Sequence, residues 1–129
     1  MLPTRSLLNK KMPLFYAICP DYSANPSETL KNRLKVRPEH WRRAEEDKKA
    51  GILEFGRGTV PPPTSTLHTD PNLPPGLQAM DGSIMFLRYK TMEQTWERIK
   101  SDVYYTGDVW DKDKIQIGQF IKLPGEGDD

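Results

Sequence analysis

The sequence contains few of the residues that form disulfides and metal centres. Of its 129 residues, one is cysteine, Cys19, and two are histidine, His40 and His68. A lone cysteine cannot close an internal disulfide and forms no CxxC pair, which indicates a reduced, intracellular protein. His68 has only Asp70 near it, so no metal site is predicted there. Because zinc signatures, phosphate-binding glycine loops and serine elbows are also lacking, metalloenzymes and nucleotide hydrolases are disfavoured.

An excess of charge and long apolar runs are lacking as well. The 19 basic and 18 acidic residues leave a net charge of +1, which gives no field that would attract nucleic acid or an anionic membrane. No apolar run approaches the roughly 20 residues of a membrane-spanning helix. We therefore expect neither nucleic acid nor a membrane as partner, and we expect a cytoplasmic location.

Proline is abundant, and its distribution suggests where the packed domain lies. Six of the 12 prolines fall within residues 61–81, which are predicted to form a Pro-rich insertion. Residues 1–11 are expected to be a disordered extension, with an organelle transit segment as the minor alternative and Met12 as an alternative start. Residues 123–129 are expected to be a disordered acidic tail. One domain is therefore predicted over residues 12–122.

Apolar patterns and turn signals within this domain predict the order βαββαβ. Strands are predicted over 14–19, 52–60, 82–90 and 115–122, and two glycines in the second strand favour a bulge. This order is typical of a ferredoxin-like α+β fold, with a four-stranded antiparallel sheet and both helices on one face. The bare face would expose the apolar residues of IMFL and LFYAI. We therefore predict a homodimer that forms through this open sheet face.

The first helix is predicted to begin at the N-cap Asn25 and to contain the run RLKVRPEH, residues 33–40. Pro38 is expected to divide it into a short helix and a longer one, which Pro38 itself would start. The near-helical spacing predicts a core-facing stripe. That stripe consists of Leu30, Leu34, Trp41 and Ala44.

The same run places Arg33, Arg37 and His40 on one side of the helix. Two guanidinium groups and an imidazole could bind a carboxylate or enolate and move a proton. The alternative is a solvated basic face that pairs with nearby acids. Those acids would be Glu39, Glu45 and Glu46.

Residues 101–113, SDVYYTGDVWDKD, combine four aspartates with aromatic residues and are predicted to be a loop. A carboxylate that contacts His40 would fix its tautomer and raise its basicity. Alternatively, the aromatic residues cover the core and the aspartates cap turns. The candidates are Asp102, Asp108, Asp111 and Asp113.

The segments RLKVRPEHW, AGILEFGRG, GSIMFL and SDVYYTGDVWDKDKIQIGQF resemble, in that order, the YCII-related (YciI-like) family, over roughly residues 12 to 122. In that family R-x-x-x-R-P-x-H-L follows the first strand and D-P-Y-x-x-x-G-V-[YW] precedes the last. Val103 stands where the family has proline, Asp108 stands where it has glycine, and the insertion at 61–81 is a further departure. The resemblance implies a dimeric α/β barrel of ferredoxin-like subunits, like the muconolactone isomerase group, with a cleft in each subunit.

The resemblance also implies a histidine and aspartate pair, carried here by His40 and Asp102. The characterised activity of the family is that of a dehydrochlorinase that acts on a chlorinated hydroquinone without metal or organic cofactor. We therefore expect lyase or isomerase chemistry on a small organic anion, such as an aromatic or polyketide-like metabolite. The alternative is a non-catalytic ligand-binding or assembly dimer. The residues expected to bind the substrate are Arg33, Arg37, Tyr104 and Trp110.

Overall fold

A computed structural model describes residues 12–126, in which strands and helices follow the predicted order. The predicted extension at 1–11 and the last three residues of the predicted tail lie outside the described residues. No helix of the described part is long and apolar enough to cross a membrane. The elements are β1 (Leu14–Pro20), α1 (Pro26–Lys49), β2 (Leu53–Thr59), a 3₁₀ helix (Thr66–Thr69), β3 (Gly82–Arg88), α2 (Met92–Lys100), α3 (Val103–Thr106) and β4 (Gln116–Gln119).

The four strands form one antiparallel sheet in the order β2-β3-β1-β4. The central strands β1 and β3 pair along their full length, from Leu14 with Arg88 to Pro20 with Gly82. The register of β2 shifts between Leu53 and Phe55, ahead of the two glycines that favoured a bulge or a close backbone approach in this strand. This topology confirms the predicted ferredoxin-like α+β fold.

Alternate residues of the central strands face the helices and form the core. Ala17 and Cys19 of β1 and Met85 and Leu87 of β3 are buried on this face, as is Ile99 of α2. Because side chains alternate across a strand, one sheet face collects the apolar side chains that the helices cover. Burial raises the pKa of the Cys19 thiol to about 12, so Cys19 is a protonated core residue.

The other sheet face carries aromatic side chains that the described part of the chain leaves partly exposed. We call this patch the open face. The Phe86 ring lies 5.1 Å from that of Phe55 and 5.0 Å from that of Phe120, which in turn is 5.4 Å from that of Tyr16. Ile18 beside them is 37% exposed. The open face thus comprises Tyr16, Ile18, Phe55, Phe86 and Phe120.

The predicted division of the first helix at Pro38 is wrong, because α1 runs unbroken from Pro26 to Lys49 with Pro38 inside it. As predicted, Asn25 caps its start by accepting a hydrogen bond from the Glu28 N–H at 3.3 Å. Pro38 is exposed, so its ring meets solvent rather than the core. Buried residues lie before Pro38 and after it, namely Arg33 and Asp47. Packing on both sides therefore outweighs the hydrogen bond that proline removes.

The prediction that Trp41 faces the core is also wrong, since Trp41 is 57% exposed. Trp41 lies on the same flank of α1 as Leu30, about 20° round the helix axis but roughly 16 Å further along it. Leu67 and Ala79 of the Pro-rich insertion cover Leu30. They do not reach Trp41, whose ring instead receives the Arg37 guanidinium at 4.8 Å. The insertion thus packs as a small second core on one half of α1.

Replacement of Pro38 tests whether the proline strains α1. Pro38→Ala restores a main-chain donor and removes a ring that crowds the preceding turn, so the free energy of unfolding should rise by about 1 to 3 kcal/mol. Urea unfolding measures this change. Lys35→Ala, at another exposed position of α1, should change stability by less than about 0.5 kcal/mol. A less stable Pro38→Ala protein would show that packing requires the proline.

Candidate active site

His40 and Asp102, which are 62 positions apart in the sequence, are in hydrogen-bond contact. The His40 Nδ1 atom lies 2.8 Å from Asp102 Oδ1 and 3.0 Å from Oδ2. The Asp102 side chain is fully buried and that of His40 is 13% exposed. A carboxylate only accepts hydrogen bonds, so Nδ1 carries the hydrogen and Nε2 is left with its lone pair. This arrangement allows Nε2 to accept a proton from a bound molecule.

Asp102 is held in place by donors from two further elements. It is the N-cap of α3 and accepts a hydrogen bond from the Tyr104 N–H at 2.9 Å. Arg98 of α2 donates from Nη1 to Asp102 Oδ2 at 2.9 Å. Burial by itself raises the pKa of Asp102, but the contacts with His40, Arg98 and the Tyr104 N–H outweigh burial and lower it. Asp102 is therefore an anion at neutral pH, which stabilises a protonated His40.

The segment around Asp102 was predicted to be a loop, and this prediction missed α3. The one-turn helix follows directly from the cap, because aspartate side chains accept hydrogen bonds from the first turn of a helix. Asp108, two residues after α3, has a φ of 58°. That left-handed conformation favours glycine, and glycine is the residue of the YCII-related pattern at this position.

Tyr104 and Trp110 contact the imidazole ring from two sides. The Tyr104 ring stacks on His40 with centroids 4.0 Å apart, and the Trp110 ring stands edge-on to His40 with centroids 6.1 Å apart. Both aromatic side chains are buried, and Trp110 Nε1 donates to Ser83 Oγ at 3.1 Å. Burial raises the pKa of Tyr104, so its hydroxyl stays neutral. The two rings fix the plane of His40, so Tyr104 and Trp110, which were expected to bind the substrate, are direct neighbours of the imidazole.

Arg33 is buried against the Tyr104 ring and does not line an open cleft. Its Nε donates to Asp21 Oδ2 at 2.8 Å, and its Nη2 donates to Asp21 Oδ1 at 2.7 Å and to Ser83 Oγ at 3.0 Å. The guanidinium carbon sits 4.3 Å from the centre of the Tyr104 ring. Arg33 therefore supports the ring that stacks on His40. Two of its three nitrogens, Nε and Nη2, are thus bonded within the protein.

Arg37 differs from Arg33 because it forms no ion pair with any residue between 12 and 126. Its guanidinium lies over the exposed Trp41 ring, and its charge acts on Tyr104. The acids proposed as partners of a solvated basic face bond elsewhere: Glu39 and Glu46 pair with Arg42, and Glu45 pairs with Lys48. Arg37 is therefore the cation nearest in sequence to His40 that has no acid partner among residues 12–126. A cation without such a partner can bind an anion.

Three charged residues of this region were not predicted, because the sequence carries only a weak signal for each of them. They are Asp21, Asp47 and Arg98. Asp21 follows directly after β1 and accepts both hydrogen bonds from Arg33 described above. Arg98 stands four residues before Asp102, a spacing that brings two side chains together on a helical turn. Arg98 also donates from Nε to Asp47 Oδ2 at 2.6 Å. Burial of these three charges depends on contacts between distant elements.

A cavity of about 320 Å³ lies away from His40, beside the start of α1. Asp21 lines it together with Leu30, residues of the Pro-rich insertion and Lys114. Neither His40 nor Asp102 contributes to its lining. Asp21 lines the cavity and bonds Arg33, and Arg33 packs on the Tyr104 ring beside His40. The Arg33–Asp21 contact thus connects the cavity to the His40–Asp102 pair.

The structure defines a class of protein: a ferredoxin-like α+β fold in which a partly buried histidine bonds a buried aspartate. No family model matches the chain. Over 54 residues the chain is 37% identical to aspercryptin biosynthesis cluster protein B of Emericella nidulans, and the match covers 42% of this chain and 33% of that protein. The chain thus matches about a third of the length of that relative.

A solved structure with the same fold is 5-chloro-2-hydroxyhydroquinone dehydrochlorinase (TftG) from Burkholderia phenoliruptrix, in complex with 2,5-dihydroxybenzoquinone. The superposition has a TM-score of 0.64 and covers 88% of this chain and 98% of that chain, at 15% sequence identity. This likeness supports the fold assigned above.

The lowered pKa of Asp102 predicts how stability depends on acid. A group whose pKa is lower in the folded than in the unfolded state stabilises the fold above its unfolded pKa, about 3.9 for aspartate, and loses this contribution as pH falls through its folded pKa. The stability difference between the wild type and Asp102→Asn should therefore be largest near pH 5 and shrink below about pH 4. Urea unfolding between pH 5 and 2.5 measures it.

Asp113→Asn, at an exposed carboxylate, is the matched control and should change stability by less than about 0.5 kcal/mol. A difference between the wild type and Asp102→Asn that stays constant down to pH 2.5 would contradict a lowered pKa for Asp102.

Proposed function

We propose that residues 12–122 form a small, cofactor-independent enzyme related to the YCII family, which performs lyase or isomerase chemistry on a small organic anion. The observation that carries the proposal is the hydrogen bond of 2.8 Å between His40 Nδ1 and the buried Asp102 carboxylate. General-base histidines are held in this way, with one ring nitrogen bonded to a carboxylate and the other directed at the substrate. A cytoplasmic location stays a prediction.

In this proposal His40 Nε2 takes a proton from the substrate. Arg37 binds the anionic group, because it is charged and has no acid partner among the described residues. Asp102 stabilises the imidazolium that forms. His40 then returns the proton at another atom of the substrate, which is an isomerisation, or a leaving group departs with its bonding electrons, which is an elimination. A positioned histidine contributes on the order of 10² to 10⁴ in rate.

The comparisons support an aromatic or polyketide-like substrate. The structural neighbour is a dehydrochlorinase of a chlorinated hydroxyhydroquinone, seen with a dihydroxybenzoquinone, and the sequence relative is a biosynthesis cluster protein. Hydroxylated quinones lose a proton readily and match a site that has one unpaired cation and aromatic side chains. We therefore propose hydroxylated quinones and aromatic carboxylates as the first compounds to test.

One observation favours a second function, that of a non-catalytic binding protein. Tyr104 and Trp110 pack directly on the His40 ring, and only 13% of the His40 side chain is exposed. If this packing persists when a ligand is bound, the site would hold a ligand without proton transfer. The two functions share a ligand class and differ in turnover.

Replacement of His40 distinguishes these two functions. Ligands are first identified by the rise in melting temperature that they cause, since a molecule that binds only the folded state stabilises it. With a ligand that is converted, His40→Gln, whose amide can still donate to Asp102, should lower kcat by at least about 100-fold in a protein that remains folded. His68→Gln, at the chain's other histidine, should retain full activity. Binding without conversion by the wild-type protein would reject catalysis and support the binding function.

We further propose that two subunits associate through the open face. This face is apolar and aromatic, and exposed patches of this kind mark interfaces. A stable interface buries about 800 Å² on each partner, which the outer surface of a four-stranded sheet can supply. Association would cover the aromatic side chains and leave the helices, with His40, outside the interface.

Substitutions on the open face test this association. The wild-type protein should have twice the 14.8 kDa mass of the chain when measured by light scattering at micromolar concentration. Phe55→Asp and Phe120→Asp place a charge in the interface and should shift the protein to monomer. Trp41→Asp removes an exposed aromatic side chain from the helical side and should leave the dimer intact. A monomeric wild-type protein would reject the proposal.

A further inference from the structure

Arg98 is a buried cation directly behind the His40–Asp102 pair. Its side chain is 1% exposed and bridges two carboxylates, with Nη1 2.9 Å from Asp102 Oδ2 and Nε 2.6 Å from Asp47 Oδ2. Asp47 belongs to α1, as His40 does, and is also 3.6 Å from Arg43. A chain of alternating charge therefore runs from His40 through Asp102 and Arg98 back to α1.

The placement of Arg98 is costly for stability alone. Its third nitrogen, Nη2, is buried and has no hydrogen-bond partner in the described part of the chain. Unpaired buried donors are unfavourable, and buried ion pairs are often no more stabilising than apolar side chains of the same volume. The N-cap contact with Tyr104 also holds Asp102 without help from Arg98. What Arg98 adds is a second contact on Oδ2 and a positive charge.

We propose that Arg98 is a positioning residue of the candidate site, which holds Asp102 by Oδ2 and, together with Asp47, sets how strongly that carboxylate acts on His40. The proposal rests on the proposed acid–base role of His40. A cation beside Asp102 offsets part of its negative charge, so His40 is a weaker base than it would be beside Asp102 alone. Asp47 in turn offsets part of the charge of Arg98.

Other charged and titratable groups lie near the pair on the elements packed against it, and all of them are retained in the variants of Arg98 and Asp47. They are Cys19 of β1, Arg33, Arg37 and Arg43 of α1, and Tyr104 of α3, with Tyr89 near Arg98 and Asp47. Among them, Arg43 loses its ion pair in Asp47→Asn.

Titration of His40 by NMR tests the proposal without any substrate. The imidazole nitrogen shifts are followed against pH in the wild type and in three variants. Arg98→Met removes the cation and should raise the titration midpoint of His40 by about one pH unit. Asp47→Asn leaves the charge of Arg98 less compensated and should lower it. Arg98→Lys keeps the charge and should stay within about 0.3 units of the wild type.

His68 provides an internal control in the same spectra. It lies in the Pro-rich insertion, where its Nε2 contacts the carbonyl oxygens of Pro61 and Pro62. Its titration should be the same in all four proteins. A loosened fold would alter the shifts of both histidines together, whereas the proposal requires opposite shifts of His40 alone in Arg98→Met and Asp47→Asn.

Two outcomes would overturn the proposal: a His40 midpoint that stays constant in both variants, or one that moves in the same direction in both. If Arg98→Met does not fold, Asp47→Asn decides the question: a His40 midpoint that does not fall in this variant, compared with the wild type and Arg98→Lys, would overturn the proposal. The result is also separable from the proposed function. A protein without turnover would reject catalysis but leave the titration result standing, while unchanged titration with an inactive His40→Gln protein would reject only the role of Arg98.

Discussion

The buried carboxylate of Asp102 bonds to residues of three helices at once. It caps α3, accepts a hydrogen bond from Arg98 of α2 and bonds His40 of α1. A buried carboxylate needs donors for both oxygens, because desolvation is otherwise prohibitive. The need to satisfy Asp102 therefore fixes the three elements relative to one another, and the orientation of His40 follows from that constraint.

Two buried arginines flank the site, and their pairs serve orientation more than stability. Arg33 joins β1 to α1 through Asp21, and Arg98 joins α2 to α1 through Asp47. Removal of one partner from such a pair typically costs about 3 to 5 kcal/mol, although the intact pair contributes little beyond an apolar substitute. Exposed pairs such as Arg42 with Glu39 contribute only about 0 to 1 kcal/mol. Two energetically sensitive pairs thus lie close to the His40 ring.

The sequence predicted those features that depend on local patterns. Apolar patterns, turn signals and the Asn25 cap were sufficient for the ferredoxin-like topology, and the resemblance brought His40 together with Asp102. The failures depend on distant contacts. Pro38 was expected to divide a helix that packing on both sides keeps intact. Trp41 was assigned to the core because of its spacing, and it does lie on the same flank of α1 as Leu30, but the residues that cover Leu30 do not reach it. The Arg33–Asp21 pair could not be inferred, because it requires knowledge of which strand α1 packs against.

The departures of the sequence from the YCII-related pattern leave intact the hydrogen bonds on which the proposed chemistry depends. Val103 replaces a proline at the first position of α3, yet Asp102 bonds the Tyr104 N–H and not that of residue 103, so the cap is independent of the change. Asp108 adopts the left-handed conformation itself. The Pro-rich insertion packs on Leu30 and lines the cavity near Asp21, away from His40. None of these departures alters the hydrogen bonds of the His40–Asp102 pair, so the proposed chemistry does not depend on them.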